Sequence, residues 1–539
     1  MNESVFSQYV RRPSFIYVLL FLVLVFNFAV RWHLRDMPLE RDEGEYAYAG
    51  QLILQGVPPY ELAYNMKLPG VYFAYALLMA VFGQSPAGIH IGIILVTSIT
   101  TILIFFIGRE LLGNIGGLLA ASTFTCLSAL PKAAALAGHA THFVSLFVCA
   151  GLLTLLLAQK KNSWWLASGV SFGLAILMKQ HAIAFPAFIL IWYLWKELRR
   201  DRRQKILLNT SAFCGGCVLP LLITAIGFAC AGLWGKFIFW TFQYAHQYVS
   251  ILPLRAAPAQ FIDGFAPVFS TSRFAWLLGL MGLILLREKK AWNTPVELAA
   301  LIFLAGMAAA CPGLYFRNRY FLMAMPGLAL LDAWLILGLA RYLKSTGFPG
   351  RSKWIPIGFA VVLFESLLTT NYHIWFADTP LQASRELYGT SPYPESVTVA
   401  KYLNSHTSPD DKIAVLGSEP QIFFLSHRRS ASGYIYLYSL TEPQPLAPQM
   451  RREFISEIEA ARPKYVVFVN IFTSWYSIVL PGDTSQSLNS IPAWWNDYST
   501  NYVLTGAVKI SANQPSQFLW DEKSYSDTTN DDLLIYRRK

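Results

Sequence analysis

Apolar runs of about 20 residues recur along the first two-thirds of the chain, and the last third lacks them. About 20 residues at 1.5 Å rise cross the ~30 Å hydrocarbon core, so these runs predict membrane-spanning helices. The first covers 14–30. The others fall near 89–108, 115–131, 139–158, 164–178, 181–195, 207–231, 274–287, 296–312, 318–338 and 354–371, about eleven in all. Residues 68–83 (LPGVYFAYALLMAVFG) are apolar but short and aromatic, which predicts a helix lying at the membrane interface. Beyond 376 the pattern changes. IAVLGS (413–418) and YVVFVN (465–470) predict buried strands, 392–403 and 449–461 predict helices, and the Pro-, Ser- and Trp-rich 472–500 predicts loops. The expected architecture is a polytopic α-helical membrane domain, 1–375, whose first outer loop is 31–88, followed by an extracytoplasmic α/β domain, 376–539.

Charge sharpens this picture. The 539 residues are 54% hydrophobic and 14% charged, against roughly 25% charged in soluble domains. From Asp378 onward the net charge is −3, and the remainder carries +14. The basic residues cluster in alternate short loops: Arg109, Lys160-Lys161, 196–205 (KELRRDRRQK), 287–290 (REKK) and 341–353. That is the positive-inside pattern rather than a nucleic-acid-binding face. Arg11-Arg12 precede the first run and no small-residue cleavage site follows it, so it reads as an uncleaved anchor with a cytoplasmic N-terminus. An odd number of spans puts 372–539 outside. The expected location is the plasma membrane, a bacterial inner membrane, with the lipid bilayer as a partner and no nucleic acid. All six cysteines precede 376, so the tail needs no disulfide, and CGGC at 214–217 reads as small-residue helix packing.

The exceptions to the charge rule carry the candidate chemistry. Lys67, Lys132, Lys179, Arg317 and Arg319 fall on the expected outer side. Snorkelling accounts for each alone; together they suggest a site for a phosphate or an anionic headgroup. Between two apolar segments, 41–72 holds Asp42, Glu43, Glu45, Glu61 and Lys67, and ionisable groups held close to a bilayer mark functional sites by default. The residues from Asp42 to Gly56 predict a helix: Asp42 as its cap, Glu45 as the third-position partner, Tyr46 on the face that follows, and Gly56 as terminator. Pro58-Pro59-Tyr60 turns the chain, and Lys67 precedes a second turn, Leu68-Pro69-Gly70. The loop thus presents a carboxylate at one end and a cation at the other. His139 and His142, three apart on a helix face, read first as interfacial histidines bonded to water or loops; with Glu43 or Glu45 they could instead hold a divalent metal. The aromatic 234–248 (WGKFIFWTFQYAHQY) predicts an interfacial belt or a surface for a lipid tail.

These residues resemble the GT-C glycosyltransferases that use polyprenyl-phosphate sugars, such as protein O-mannosyltransferases and lipid A aminoarabinose transferases. The likeness lies in Asp42-Glu43, Gly56 with Pro59-Tyr60, and Lys67-Leu68-Pro69, where Leu68 departs from a Lys-Pro-Pro pattern. Lys179-Gln180, Arg319-Tyr320-Phe321 with Pro326, and Gly417-Ser418-Glu419-Pro420 add to it. The resemblance implies transfer of a sugar from a polyprenyl-phosphate donor to an acceptor hydroxyl of a glycan, lipid or protein on the outer face, with inversion. It implies Asp42, with Glu43, as the catalytic carboxylates. Lys67, Lys179, Arg317, Arg319 and Tyr320 would bind the donor phosphate, with Glu45, Tyr46 and Tyr60 in support. No cofactor is required by this reading, though a divalent ion is compatible with it. The competing reading is a transporter or flippase of lipid-linked glycans; no internal repeat speaks for it, and the charges gather at one face rather than at the midplane.

Overall fold

The computed structural model describes residues 13–161, 163–199, 203–286, 296–347, 351–476, 490–511, 514–521 and 532–539. Each apolar run expected to span coincides with a helical stretch. Among the described residues seven helices are long and apolar enough to cross a membrane: Ser14–His33, Pro86–Leu112, Ala140–Ala158, Gln204–Cys230, Leu254–Leu285, Asn318–Ser345 and Trp354–Ala377. Asn114–Leu127, Trp164–Met178 and Glu297–Ala309 are shorter apolar helices. Arg11-Arg12 and the 287–290 cluster lie outside the described residues.

The chain packs as two compact units. The first comprises Met1–Arg35, His90–Gly227 and Leu252–Asp378, the apolar helices. Small residues set its helix spacing: a Cβ on Gly169 would lie 2.1 Å from the Phe213 carbonyl oxygen, and one on Gly117 would lie 2.5 Å from that of Phe105. Inside it Arg31 is buried. Its guanidinium donates to the carbonyls of Ser128 (2.5 Å) and Ala135 (3.2 Å) and to Asn27 (3.2 Å). The hairpin between two helices is thus tied by a cation whose donors are satisfied by backbone.

The second unit comprises Asp36–Ile89, Phe228–Ile251 and Thr379–Lys539. The first loop therefore folds with the C-terminal tail. The tail carries a five-stranded sheet in the order β1-β2-β5-β3-β4. These strands are β1 (Ile413–Leu416), β2 (Tyr465–Asn470), β3 (Tyr502–Lys509), β4 (Gln517–Trp520) and β5 (Asp532–Arg538). β1 and β2 run parallel, and the remaining pairs are antiparallel. The expected strands and helices are present, the latter as Tyr393–His406 and Ala447–Ala461. The stretch expected as loops contains helices Phe472–Trp475 and Ser490–Tyr498 instead. Its Trp475 and Trp495 rings are buried, packing on Phe468 of β2; residues 477–489 lie outside the described set.

Gly70–Phe82 is the short helix expected at the interface. Thirteen residues rise ~20 Å, too short for the ~30 Å core. Tyr72, Tyr75, Ala76 and Met79 are buried, whereas Phe73, Leu77 and Val81 form an exposed stripe. Its buried face meets Gly50, where a Cβ would sit 2.9 Å from the Ala76 nitrogen.

Candidate active site

The site starts from helix Arg41–Leu54. Its cap is Glu40, not Asp42: the Glu40 side chain accepts from the Glu43 N–H (2.9 Å), and Glu43 accepts from the Glu40 N–H (3.3 Å). This capping box displaces the expected Asp42–Glu45 pair by two residues. Asp42, in the first turn, is left to point elsewhere. The end is as expected: Leu54 closes the helix, and Gly56 takes a left-handed φ of 81°.

The helix is buried from Asp42 to Leu52 although it is rich in polar residues. Arg41, Gly44, Tyr48 and Gln51, at i, i+3, i+7 and i+10, form one face and all meet the tail. Arg41 donates to the Ser418 carbonyl (2.5 Å), the Tyr438 hydroxyl (2.5 Å) and the Thr473 carbonyl (3.0 Å), and pairs with Glu419. A Cβ on Gly44 would lie 2.6 Å from the Gln421 nitrogen. The Tyr48 hydroxyl accepts from the Ser430 N–H (2.8 Å), and Gln51 bonds His427 (2.8 Å).

Asp42 Oδ1 accepts from Lys67 Nζ at 3.0 Å and from the Tyr436 hydroxyl at 3.0 Å. Lys67 Nζ also meets Glu45 Oε2 at 2.5 Å, and Glu45 Oε1 accepts from Tyr72 at 2.5 Å. The ammonium stands 4.5 Å from the Tyr46 ring centre and 5.5 Å from that of Tyr436. Lys67 is thus closed onto the two carboxylates rather than standing as a separate cation at the far end of the loop. Burial opposes its charge, but Asp42 and Glu45 outweigh that and hold its pKa well above the usual lysine value. Burial raises the Glu45 carboxyl, the Lys67 charge opposes that rise, and neighbouring Asp42 adds to it. One cation serves two carboxylates.

Tyr60 fixes the backbone of this cluster. It is fully buried, has a left-handed φ of 66°, and donates to the Lys67 carbonyl at 2.6 Å. A non-glycine residue held there is strained by ~1–3 kcal/mol and must be over-determined by packing. Phe228 and Phe237 supply that packing, at ring distances of 5.4 and 6.0 Å. Tyr64 likewise stacks on Trp240 at 5.2 Å. Several aromatics of the expected interfacial belt therefore brace the first loop, and Phe237, Trp240 and Tyr244 are buried in this unit.

Lys179, Arg317, Arg319 and Tyr320 belong to the other unit. There Lys179 interrupts the helical run in extended conformation, and its Nζ lies 4.0 Å from the Tyr320 ring centre. His181 packs edge-on against the same ring and bonds the Ala309 carbonyl at 3.0 Å. Arg317 lies over Tyr315 at 5.6 Å, and Asn318 donates to the Lys132 carbonyl at 2.8 Å. Leu314 and Phe316 take positive φ values of 59° and 42°. This strained segment therefore draws Lys179 and Tyr320, far apart in sequence, into one cluster. His139, the residue preceding helix Ala140–Ala158, and His142 within it are buried in this unit, while Glu43 is engaged in its capping box in the other.

Sequence reasoning missed Tyr436, Arg41 and Tyr438. Of the tail's contribution only Gly417–Pro420 carried a signal.

Residues 66–224 match the dolichyl-phosphate-mannose-protein mannosyltransferase family. No curated protein matches the chain in sequence. Among solved structures, ArnT from Cupriavidus metallidurans bound to undecaprenyl phosphate is similar over 97% of this chain and 98% of that one, with a TM-score of 0.59 at 14% identity. The Archaeoglobus fulgidus oligosaccharyltransferase tethered with an acceptor peptide is similar over 95% of this chain and 74% of its own, with a TM-score of 0.58 at 12% identity. The chain shares its fold with these two structures, and its tail carries a five-stranded sheet.

Proposed function

We propose that this chain is an integral-membrane glycosyltransferase that moves a sugar from a polyprenyl-phosphate donor to an acceptor hydroxyl on the outer membrane face, with inversion. The observation that carries the reading is Asp42. It is a buried carboxylate at a helix start, gripped by Lys67 and Tyr436, in a chain whose GT-C fold it shares along nearly its whole length with ArnT. ArnT was solved with undecaprenyl phosphate, which supports a donor of that class here.

In this reading Asp42 orients the acceptor hydroxyl and takes its proton as the new glycosidic bond forms. Glu43 serves it by fixing the helix start. Lys67 sets the two carboxylates, and the Tyr60 turn holds Lys67. As the sugar leaves, a phosphodiester with one negative charge becomes a monoester with up to two. Cations beside that phosphate therefore bind the transition state more tightly than the ground state. Lys179, Arg317 and Arg319, with Tyr320, are assigned to it; Arg can grip a phosphate through two hydrogen bonds and Lys acts as a point charge. In this reading the N-terminus is cytoplasmic and the C-terminal domain lies outside, in a plasma membrane, and the alternation of basic loops supports that orientation. The exposed Phe73–Leu77–Val81 stripe rests in the outer interface.

The test is sugar transfer by purified protein in liposomes, from a panel of radiolabelled undecaprenyl- and dolichyl-phosphate sugars, with a membrane extract as acceptor. Transfer by the wild type that Asp42→Asn abolishes supports the reading. Lipid moving between leaflets with no transfer from any donor points to the flippase.

A further inference from the structure

We propose that Tyr436 is a positioning residue for Asp42, and that the C-terminal domain is thereby a working part of the active site rather than an appended acceptor-binding module. The inference rests on the reading of Asp42 given above. The torsion that turns a carboxylate plane is soft and broad, so each donor on it narrows the range it samples. Lys67 divides its hold, because its ammonium is shared with Glu45, which it meets at the shorter distance of 2.5 Å against 3.0 Å to Asp42. Among the described residues the Tyr436 hydroxyl donates to Asp42 Oδ1, at 3.0 Å, and is not shared with Glu45. The loop and the tail thus each supply a donor to Oδ1.

Tyr436 is itself held. It is buried, and the next residue, Leu437, donates its N–H to Ser418 Oγ at 3.0 Å. The Ser418 carbonyl in turn receives Arg41, the residue before Asp42. The tail thus grips Asp42 twice, through its carboxylate and through the backbone position beside it. Placement errors of about 1 Å are known to slow chemistry by up to 100-fold, so such a grip matters to rate more than to binding.

Tyr436→Phe removes one oxygen and keeps the ring. Tyr434→Phe is the control, since its hydroxyl bonds Glu453 at 2.8 Å instead. In the liposome assay Tyr436→Phe is expected to lower kcat about tenfold with donor KM unchanged, and Tyr434→Phe to leave kcat within about twofold. In an Asp42→Asn background Tyr436→Phe is expected to cost nothing further, because the group it positions is gone. Wild-type kcat in Tyr436→Phe, or an equal loss in both backgrounds, overturns the inference. Hydrogen–deuterium exchange of the full chain in detergent decides it without a donor. Uptake at 40–46 should rise in Tyr436→Phe and not in Tyr434→Phe, and unchanged uptake also overturns it. If Asp42→Asn transfers at the wild-type rate, the assignment of Asp42 falls instead, and the exchange result still reports whether Tyr436 holds that segment.

Discussion

Lys67 Nζ lies 3.0 Å from Asp42 Oδ1 and 2.5 Å from Glu45 Oε2, so a single ammonium joins the two ends of the first loop. The pairing changes what Lys67 is for. A lysine held by two carboxylates neutralises and orients them before it meets any phosphate.

Removing that ammonium leaves two carboxylates facing each other. Lys67→Met is expected to lower stability by about 2–3 kcal/mol at neutral pH, read as a fall in the melting temperature in detergent. The pH dependence has a definite sign. The folded pKa of Lys67 is raised above the ordinary 10.5. Its stabilisation is therefore fully present below the unfolded value of about 10.4 and fades as pH rises through the folded one. The gap between wild type and Lys67→Met should stay constant from about pH 7 to 9 and close only in the alkaline range above that. A gap that closes below about pH 9 contradicts the pairing.

The Lys179–Tyr320 contact, at 4.0 Å, predicts a different kinetic pattern. Lys179→Ala and Arg319→Ala are each expected to reduce kcat/KM by about 10- to 100-fold, because each removes a charge that meets the growing phosphate charge. Tyr320→Phe keeps the ring and should cost far less than either. Equal rates in Lys179→Ala and wild type would remove Lys179 from the donor site.

Asp332 is fully buried in helix Met325–Ser345, and neither carboxyl oxygen has a hydrogen-bond partner among the described residues. An unpaired carboxyl buried among apolar side chains is unfavourable. Asp332→Leu, branched alike with the same number of side-chain heavy atoms, is expected to raise stability by about 1–3 kcal/mol with transfer unchanged. A lower melting temperature would mean that the carboxyl has a partner the helix depends on.

The charge of the leaving phosphate has Lys179, Arg317 and Arg319 to meet it, so transfer is expected to survive a divalent chelator with less than a twofold change. Loss on chelation, restored by zinc or manganese, would put His139 and His142 back in play as ligands.

The spans were legible in the sequence because length and hydropathy alone specify a membrane helix, and the loop helix because Gly56 and the acidic first turn mark its ends. Its cap was misplaced by two residues because Asp is the more common capping residue and Glu40 does the work here. β3, β4 and β5 were not legible: a bulge at Gly506 breaks β3, four residues of β4 are too few for a pattern, and β5 ends in Arg537 and Arg538. Tyr436 could not be found at all. It is 394 positions from Asp42, and nothing local in YIYLYS distinguishes one tyrosine from its neighbours.

The most direct test is single-turnover transfer with enzyme in excess over donor, comparing Asp42→Asn with wild type. A fall in the chemical step of at least about 100-fold, with donor affinity and melting temperature close to wild type, is the expected result. An unchanged single-turnover rate would contradict the account, because Asp42, which Lys67 and Tyr436 both hold, is the carboxylate assigned to the proton transfer.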